Sequence, residues 1–273
     1  MPTGPIVTIV DTTDDRIDDY RSLTDADLRR RREPVDGLFI AEGALVIGQL
    51  LRSRYRARSF LLTPAKLHEL GPAIEAAGVS APIYLVTTDQ MIGIIGFGFH
   101  RGALASVERP PPADLGTVLS PQARLIAVLE DISDNENLGA LFRNAAAFGV
   151  DAVLLSPGCA DPLYRRSVRV SMGHVLHVPW ARLAPWPDRL ADLKAAGFRL
   201  LALSPAPGGL ALPDLAPTSA LRTAVMVGAE GPGLSAAALA AADDRVRIPM
   251  AEGVDSLNVA TAAALAFYAL SSR

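Results

Sequence analysis

From Arg124 to the C-terminus the sequence alternates short apolar runs with longer helical stretches, and this alternation leaves very few architectures open to the second half of the chain. Arg124–Glu130 (RLIAVLE), Asp151–Ser156 (DAVLLS), Phe198–Ser204 (FRLLALS) and Thr223–Gly228 (TAVMVG) are near-continuous hydrophobic segments of strand length. That pattern is expected where both faces of a strand are covered. Val175–Pro179 (VLHVP) and Arg245–Pro249 (RVRIP) read as shorter strands. Residues 137–149, 162–173, 185–197 and 235–242 have helical composition, and a last helix is expected over 256–272. Strands spaced by helices cannot pair as hairpins, so crossovers and a parallel sheet follow.

The first half also mixes the two element types. Residues 27–34 (DLRRRREP) read as a helix ended by Pro34, and 37–53 as a short strand passing into a helix. Strands are expected at 59–63, 82–86 and 102–108, with a helix over 64–78. Such alternation suggests a small α/β/α layer. Three consecutive prolines in Glu108–Gly116 (ERPPPADLG) can continue neither a helix nor a central strand. The expected organisation is a domain over 1–108, a proline-rich linker over 109–119 and a second domain over 120–273.

Composition narrows the class. Half of the residues are hydrophobic and a fifth charged, which excludes a disordered chain. The single cysteine, Cys159, excludes a disulfide framework and a Cys-rich zinc site. The longest clean apolar run, Val259–Leu270, is too short to span a bilayer, and the N-terminal residues lack the pattern of a signal peptide. A cytoplasmic protein without a membrane partner is therefore expected. The net charge of −3 is unevenly spread: residues 1–20 carry five acids and one base, residues 21–109 twelve bases and nine acids. The bases gather in Arg29, Arg30, Arg31 and Arg32 and again in Arg52, Arg54, Arg56 and Arg58. Either cluster can be a solvated face, but guanidinium forks suit phosphate better than ammonium groups do. A local basic patch, not the net charge, sets a nucleic-acid footprint.

Three polar, glycine-bearing segments follow strands directly, where ligands bind in open α/β sheets. They are Asp134–Gly149 (DNENLGALFRNAAAFG), Gly228–Ser235 (GAEGPGLS) and Ile248–Ala264 (IPMAEGVDSLNVATAAA). Taken alone, Asn137, Ser256 and Asn258 are candidate helix caps, Glu230 is a turn carboxylate and Arg143 a helix arginine. Gly228, Gly231 and Gly233 permit close backbone approach and positive φ. The dinucleotide fingerprint is missing, since GFGFHR (96–101) has Arg101 where the third glycine would fall. No phosphate loop and no GxSxG elbow occur either. His174 and His177, three apart in an extended segment, would face opposite ways, and no metal site is expected. Cys159 lacks an evident base and reads as a loop thiol.

These three segments, in this order, closely resemble the three motifs of the SpoU (TrmH-type) RNA 2′-O-ribose methyltransferases of the SPOUT class. The matching residues are Asn137, Gly139 and Arg143, then Gly228, Glu230, Gly231 and Gly233, then Ile248, Pro249, Met250, Ser256, Leu257 and Asn258. More weakly, FIAEG (39–43) and HRGALASV (100–107) resemble the family's L30e-like substrate-binding domain. The resemblance implies a C-terminal α/β knot, a parallel sheet carrying a deep trefoil knot, that binds S-adenosyl-L-methionine, and a homodimer that completes the site. It implies a catalytic set of Arg143, Asn137, Glu230, Ser256 and Asn258. It also implies a cofactor seat formed by Leu203, Ser204, Gly228, Gly231, Ile248, Met250 and Leu257. Arg143 would serve as base, phosphate clamp or oxyanion stabiliser. Structured RNA is the expected partner, bound through the two arginine clusters, with ribosomal RNA preferred over transfer RNA. The rival readings are a non-catalytic RNA-binding factor of the same fold and an unrelated nucleotide-dependent α/β enzyme.

Overall fold

The structure, a computed structural model, describes residues 4–24, 33–96, 98, 102–215 and 222–271. The chain divides into two compact units, Met1–Pro111 with Leu163–His177, and Pro112–Pro162 with Val178–Arg273. The expected helix at 27–34 falls largely outside the described residues, as do Arg29, Arg30, Arg31 and Arg32.

In the first unit β1 (Ile6–Thr8), β2 (Leu38–Glu42), β3 (Ala57–Leu62), β4 (Ile83–Leu85) and β5 (Ala103–Glu108) form one sheet in the order β1-β4-β3-β5-β2. β4 runs parallel to β1 and β3, whereas β5 is antiparallel to β3 and β2. Helices α1 (Ala44–Leu50), α2 (Pro64–Ala76) and α3 (Thr88–Ile95) join the strands. The short β1, α3 and a 3₁₀ helix over Asp15–Tyr20 are absent from the sequence reading. α3 starts with a reciprocal cap, Thr87 accepting from the Gln90 backbone and Gln90 from the Thr87 backbone. Ile17, Tyr20, Ile40, Leu61, Met91 and Ile95 lie in one buried cluster. The Tyr20 hydroxyl is spent inside it, 2.7 Å from Ser59 Oγ and accepting from Ser106 N at 3.1 Å.

The second unit opens with α4 (Leu115–Val118), inside the expected linker, followed by β6 (Leu125–Glu130), α5 (Asn135–Ala147) and β7 (Ala152–Leu155). The chain then adds α6 (Arg165–Val170) to the first unit before returning through β8 (Trp180–Arg182), α7 (Leu190–Ala195), β9 (Phe198–Leu203) and β10 (Leu210–Ala211). It finishes with β11 (Arg222–Gly228), α8 (Ala236–Ala241), β12 (Asp244–Arg247) and α9 (Val259–Leu270). The sheet order is β10-β12-β9-β11-β6-β7-β8, and every neighbouring pair is parallel. Every residue of β6 is buried, as are the five inner residues of β11, so the apolar runs occupy central strands. Burying each Leu or Val side chain there contributes about 2 kcal/mol. With β6, β11, β9 and β12 adjacent and parallel, the segments leaving their C-terminal ends emerge at one edge.

Two expectations are corrected. VLHVP is not a strand: His174–Leu176 is a 3₁₀ helix, and the edge strand lies further on, at Trp180–Arg182. Val175 and Leu176 are apolar because they are buried in the first unit, not because they pair in the sheet. Domain organisation also departs from a cut at 109–119, because 163–177 counts with the first unit. The anchor of that segment is Glu42, 2% exposed, whose carboxylate meets Arg165 at 2.5 Å and Arg169 at 3.3 Å.

Candidate functional site

The C-terminal edge of the parallel sheet holds a cavity of about 420 Å³. Three chain segments form most of its wall: the end of β9 with Leu203 and Ser204, the turn after β11, and the stretch from β12 into α9. Ser204 N donates to Val246 O at 2.9 Å, tying the first of these to β12. The turn after β11 is tight for a stated steric reason. A Cβ on Gly228 would stand 2.2 Å from the carbonyl carbon of Gly233, so only glycine allows this backbone crossing. Gly231 and Gly233 have φ of +89° and +70°, the left-handed region that glycine enters without strain. Gly233 N closes the turn on Ala229 O at 2.9 Å.

At the cavity mouth three side chains from three separate motifs meet. Asn258 Nδ2 donates to Asn137 Oδ1 and to Glu230 Oε1, each at 2.8 Å. The Asn258 Oδ1 accepts from Ala260 N at 3.0 Å and Thr261 N at 3.2 Å, capping α9. Asn137 lies in the first turn of α5, whose cap is Asp134, accepting from Glu136 N and Asn137 N at 2.8 Å. The capping role that Asn137 has by sequence alone therefore belongs to Asp134. α5 and α9 are held together at Asn144, whose Nδ2 donates to Ala260 O at 2.8 Å.

Leu203, Ser204, Gly228, Gly231, Ile248, Met250 and Leu257 all line the cavity, together with Glu230, Ser256 and Asn258. Asn137 touches it only through Asn258, and Arg143 does not line it. Arg143 projects from α5 into solvent and makes no hydrogen bond or ion pair among the described residues. Among the lining residues the sole ionisable side chain is Glu230; the remaining walls are backbone, the neutral polar side chains of Ser204, Ser256 and Asn258, and apolar groups such as Val227, Val246 and Met250. Val227, Val246 and Ala262 were missed by the sequence reading because buried strand and helix residues look alike whether or not a cavity opens beside them. The Cys159 thiol is pushed up from its ordinary pKa, first by burial, and donates to Leu129 O at 3.2 Å, which leaves it inert. No cluster of three metal-ligating side chains occurs among the described residues.

Comparison with known proteins bears on the same segments. Residues 124–268 match the model of the SpoU rRNA Methylase family, and that span is more than half of the chain. The chain belongs to the SpoU rRNA methylase family. An uncharacterized tRNA/rRNA methyltransferase of Mycobacterium tuberculosis is 52% identical over 261 residues, covering 95% of this chain and 90% of that one. The 23S rRNA (guanosine(2553)-2′-O)-methyltransferase RlmP of Bacillus subtilis is 30% identical over 80% of this chain and 91% of its own. Among solved structures, the AdoMet-bound rRNA methyltransferase of Sinorhizobium meliloti superposes with a TM-score of 0.81 at 24% identity, covering 97% of both chains. At that identity the likeness speaks for the fold of this SpoU member and no more. The SpoU match contains the whole parallel sheet except its first flanking helix, and every residue of the Asn137–Glu230–Asn258 cluster.

Proposed function

We propose that this SpoU protein transfers the methyl group of S-adenosyl-L-methionine to a ribose 2′-hydroxyl of structured RNA, ribosomal RNA before transfer RNA. The single observation that carries the reading is the joining of Asn137, Glu230 and Asn258 by hydrogen bonds at the mouth of a cavity whose one ionisable wall residue is a carboxylate. A cavity with no basic group suits a ligand with a net positive charge and no phosphate. A volume near 420 Å³ falls in the range of small-molecule sites. The glycine crossing at Gly228 lets main-chain groups reach an adenine edge, and Leu203, Ile248, Met250 and Leu257 supply apolar contact. The cofactor, once bound, would supply a methyl group on sulfonium and leave as S-adenosylhomocysteine, while the ribose hydroxyl gives up its proton to solvent.

The protein's own part is positioning and proton management. Asn258, fixed by its cap and by Glu230, holds the cofactor side of the mouth in register with α5. Glu230 and Ser256 lie on the same rim and can accept from or donate to the ribose. Arg143, unpaired on the outer face of α5, is the cation that takes up the hydroxyl's developing charge or its phosphate neighbour. Because it stands outside its own chain's cavity, it serves a site completed by a second copy. Leu265 and Tyr268, exposed on α9 at 42% and 61%, supply apolar surface for such a homodimer. In this reading the C-terminal unit carries the trefoil knot of the SPOUT class. The first unit is the L30e-like RNA-binding domain, with Arg54 and Arg56 at a second cavity of about 420 Å³ between the end of α1 and the end of α2. The closeness of RlmP, a 23S rRNA 2′-O-methyltransferase by name, supports ribose and ribosomal RNA. No helix is long and apolar enough to cross a membrane among the described residues.

The test is transfer of labelled methyl to ribosomal and transfer RNA, followed by mapping of alkali-resistant linkages. Wild type is expected to label ribosomal RNA at a ribose. Arg143→Ala is expected to lower kcat about 100- to 1,000-fold while S-adenosylhomocysteine affinity stays within about twofold. RNA binding without label transfer would make the protein a non-catalytic RNA-binding factor, and label on a base would remove the ribose assignment.

A further inference from the structure

Glu130 ends β6 and is 3% exposed, yet it forms no ion pair among the described residues. Both of its oxygens are nonetheless taken. Trp186 Nε1 donates to Oε1 at 2.6 Å, and the backbone N–H of Ser235 donates to Oε2 at 2.7 Å. Burying an anion without a cation is costly, so a carboxylate retained there needs a reason beyond packing. Of the side chains of this size, only an ionised carboxylate offers two acceptors and no donor.

The place of Ser235 supplies that reason. Ser235 ends the turn that begins after Gly228, and its Oγ caps α8 by accepting from Ala238 N at 3.1 Å. At the other end of the turn, Gly228 is the register partner of Glu130 itself in the β11–β6 pairing. One residue therefore holds both ends of the turn, the first through the sheet and the last through its carboxylate. Between those ends lie Glu230, Gly231 and Gly233, which form the cavity rim, while Glu130 itself does not line the cavity. We infer that Glu130 is a positioning residue, which sets the span of the glycine turn and thereby the point at which the Glu230 carboxylate meets Asn258. The inference rests on the reading of the cavity as a cofactor site.

The test uses the full-length protein and S-adenosylhomocysteine as the probe, titrated calorimetrically, with turnover, RNA affinity and melting temperature measured alongside. Glu130→Gln keeps the shape of the side chain but turns an N–H donor toward one of two N–H donors. It is expected to raise the Kd for S-adenosylhomocysteine about tenfold and to lower kcat, with RNA affinity unchanged. Trp186→Phe removes the other donor from the same carboxylate without touching the turn. It is expected to cost a similar fall in melting temperature but to leave that Kd within about twofold. An unchanged Kd in Glu130→Gln overturns the inference, and so does equal weakening in both variants, which would mark a purely structural carboxylate. Should Glu130→Gln fail to fold, Glu130→Asp keeps the charge one methylene short of Ser235, and an unaltered Kd there overturns it equally. Failure of the wild type to bind the probe would instead remove the cofactor reading itself, and that arm is read before any variant.

Discussion

Asn258 does two jobs that pull on opposite ends of one amide. Its oxygen must accept from the first turn of α9, and so its nitrogen must face Asn137 and Glu230. The assignment of oxygen and nitrogen is fixed by this network, because the reverse would set donor against donor at Ala260. Two substitutions separate the jobs. Asn258→Ala loses the cap as well as the cluster, and a lost asparagine cap costs about 1 kcal/mol. Asn258→Asp keeps an excellent cap but sets a carboxylate against the Glu230 carboxylate and the Asn137 carbonyl oxygen. Turnover is expected to fall about a hundredfold in both, since a shift of the reacting groups by 1 Å costs that much. A fall in melting temperature from loss of the cap should appear in Asn258→Ala alone. An Asn258→Asp variant with wild-type turnover would show that the cluster is only a helix cap. The sequence already pointed to Asn258 as a cap and, by family resemblance, as a site residue; that the capping amide also bonds Asn137 and Glu230 became visible only when the bond partners were.

At the scale of elements, the turn between β11 and α8 is the part of the site with the least tolerance. Its first glycine is there for space and its later ones for conformation, and the two causes predict different costs. Gly228→Ala places a methyl group 2.2 Å from the Gly233 carbonyl carbon, so the turn must open. The expected result is a loss of roughly 3 kcal/mol in unfolding free energy, together with loss of S-adenosylhomocysteine binding. Gly231→Ala meets no atom within 4 Å and has only its φ of +89° to accommodate. It should cost about 1 kcal/mol and weaken binding much less. Denaturant unfolding paired with calorimetry checks both, and equal costs at the two positions would refute the steric account. Elements were legible where burial was two-sided: β6, β7 and β9 fall within the apolar runs that announced them, and β11 exceeds its run by Arg222 alone. They were illegible where burial came from elsewhere. VLHVP has the residues of a strand, but Gly173, with φ of +81°, starts a 3₁₀ helix before it. A Cβ on that glycine would lie 2.8 Å from Gln49 Cβ, so the segment is shaped by its seat on α1, which no local pattern encodes. β1, three residues at a sheet edge, is too short to carry a period.

For the whole molecule, a chain that is acidic overall must still bring an anionic polymer to a cavity whose own wall residue is Glu230. Besides Arg143, the candidates for that attraction are the clustered arginines of the first unit. The four that were equivalent by sequence are not equivalent in the fold. Arg58 donates to Asp36 O at 3.2 Å and sits 3.7 Å from the Asp19 carboxylate, so its charge is partly answered. Arg54 lies over the Tyr55 ring, 5.5 Å from its centroid, and Arg52, Arg54 and Arg56 form no ion pair among the described residues. Spacing alone could not distinguish them, because the difference lies in Asp19 and Asp36, brought near by the 3₁₀ helix and β2. If the first unit docks RNA, replacing Arg52, Arg54 and Arg56 together by Gln should flatten the slope of log K against log salt by about 2, since each phosphate contact contributes about 0.7 on single-stranded segments. Arg58→Gln should change the slope by much less than a single contact and instead lower the melting temperature slightly, a surface pair being worth about 0.5 kcal/mol. S-adenosylhomocysteine affinity should stay level in both variants, because the cavity that would hold it contains none of these residues. Filter binding of a ribosomal RNA fragment between about 50 and 200 mM salt measures the slopes. An unchanged slope in the triple variant would return the cluster to ordinary surface and leave the RNA to be held by another face.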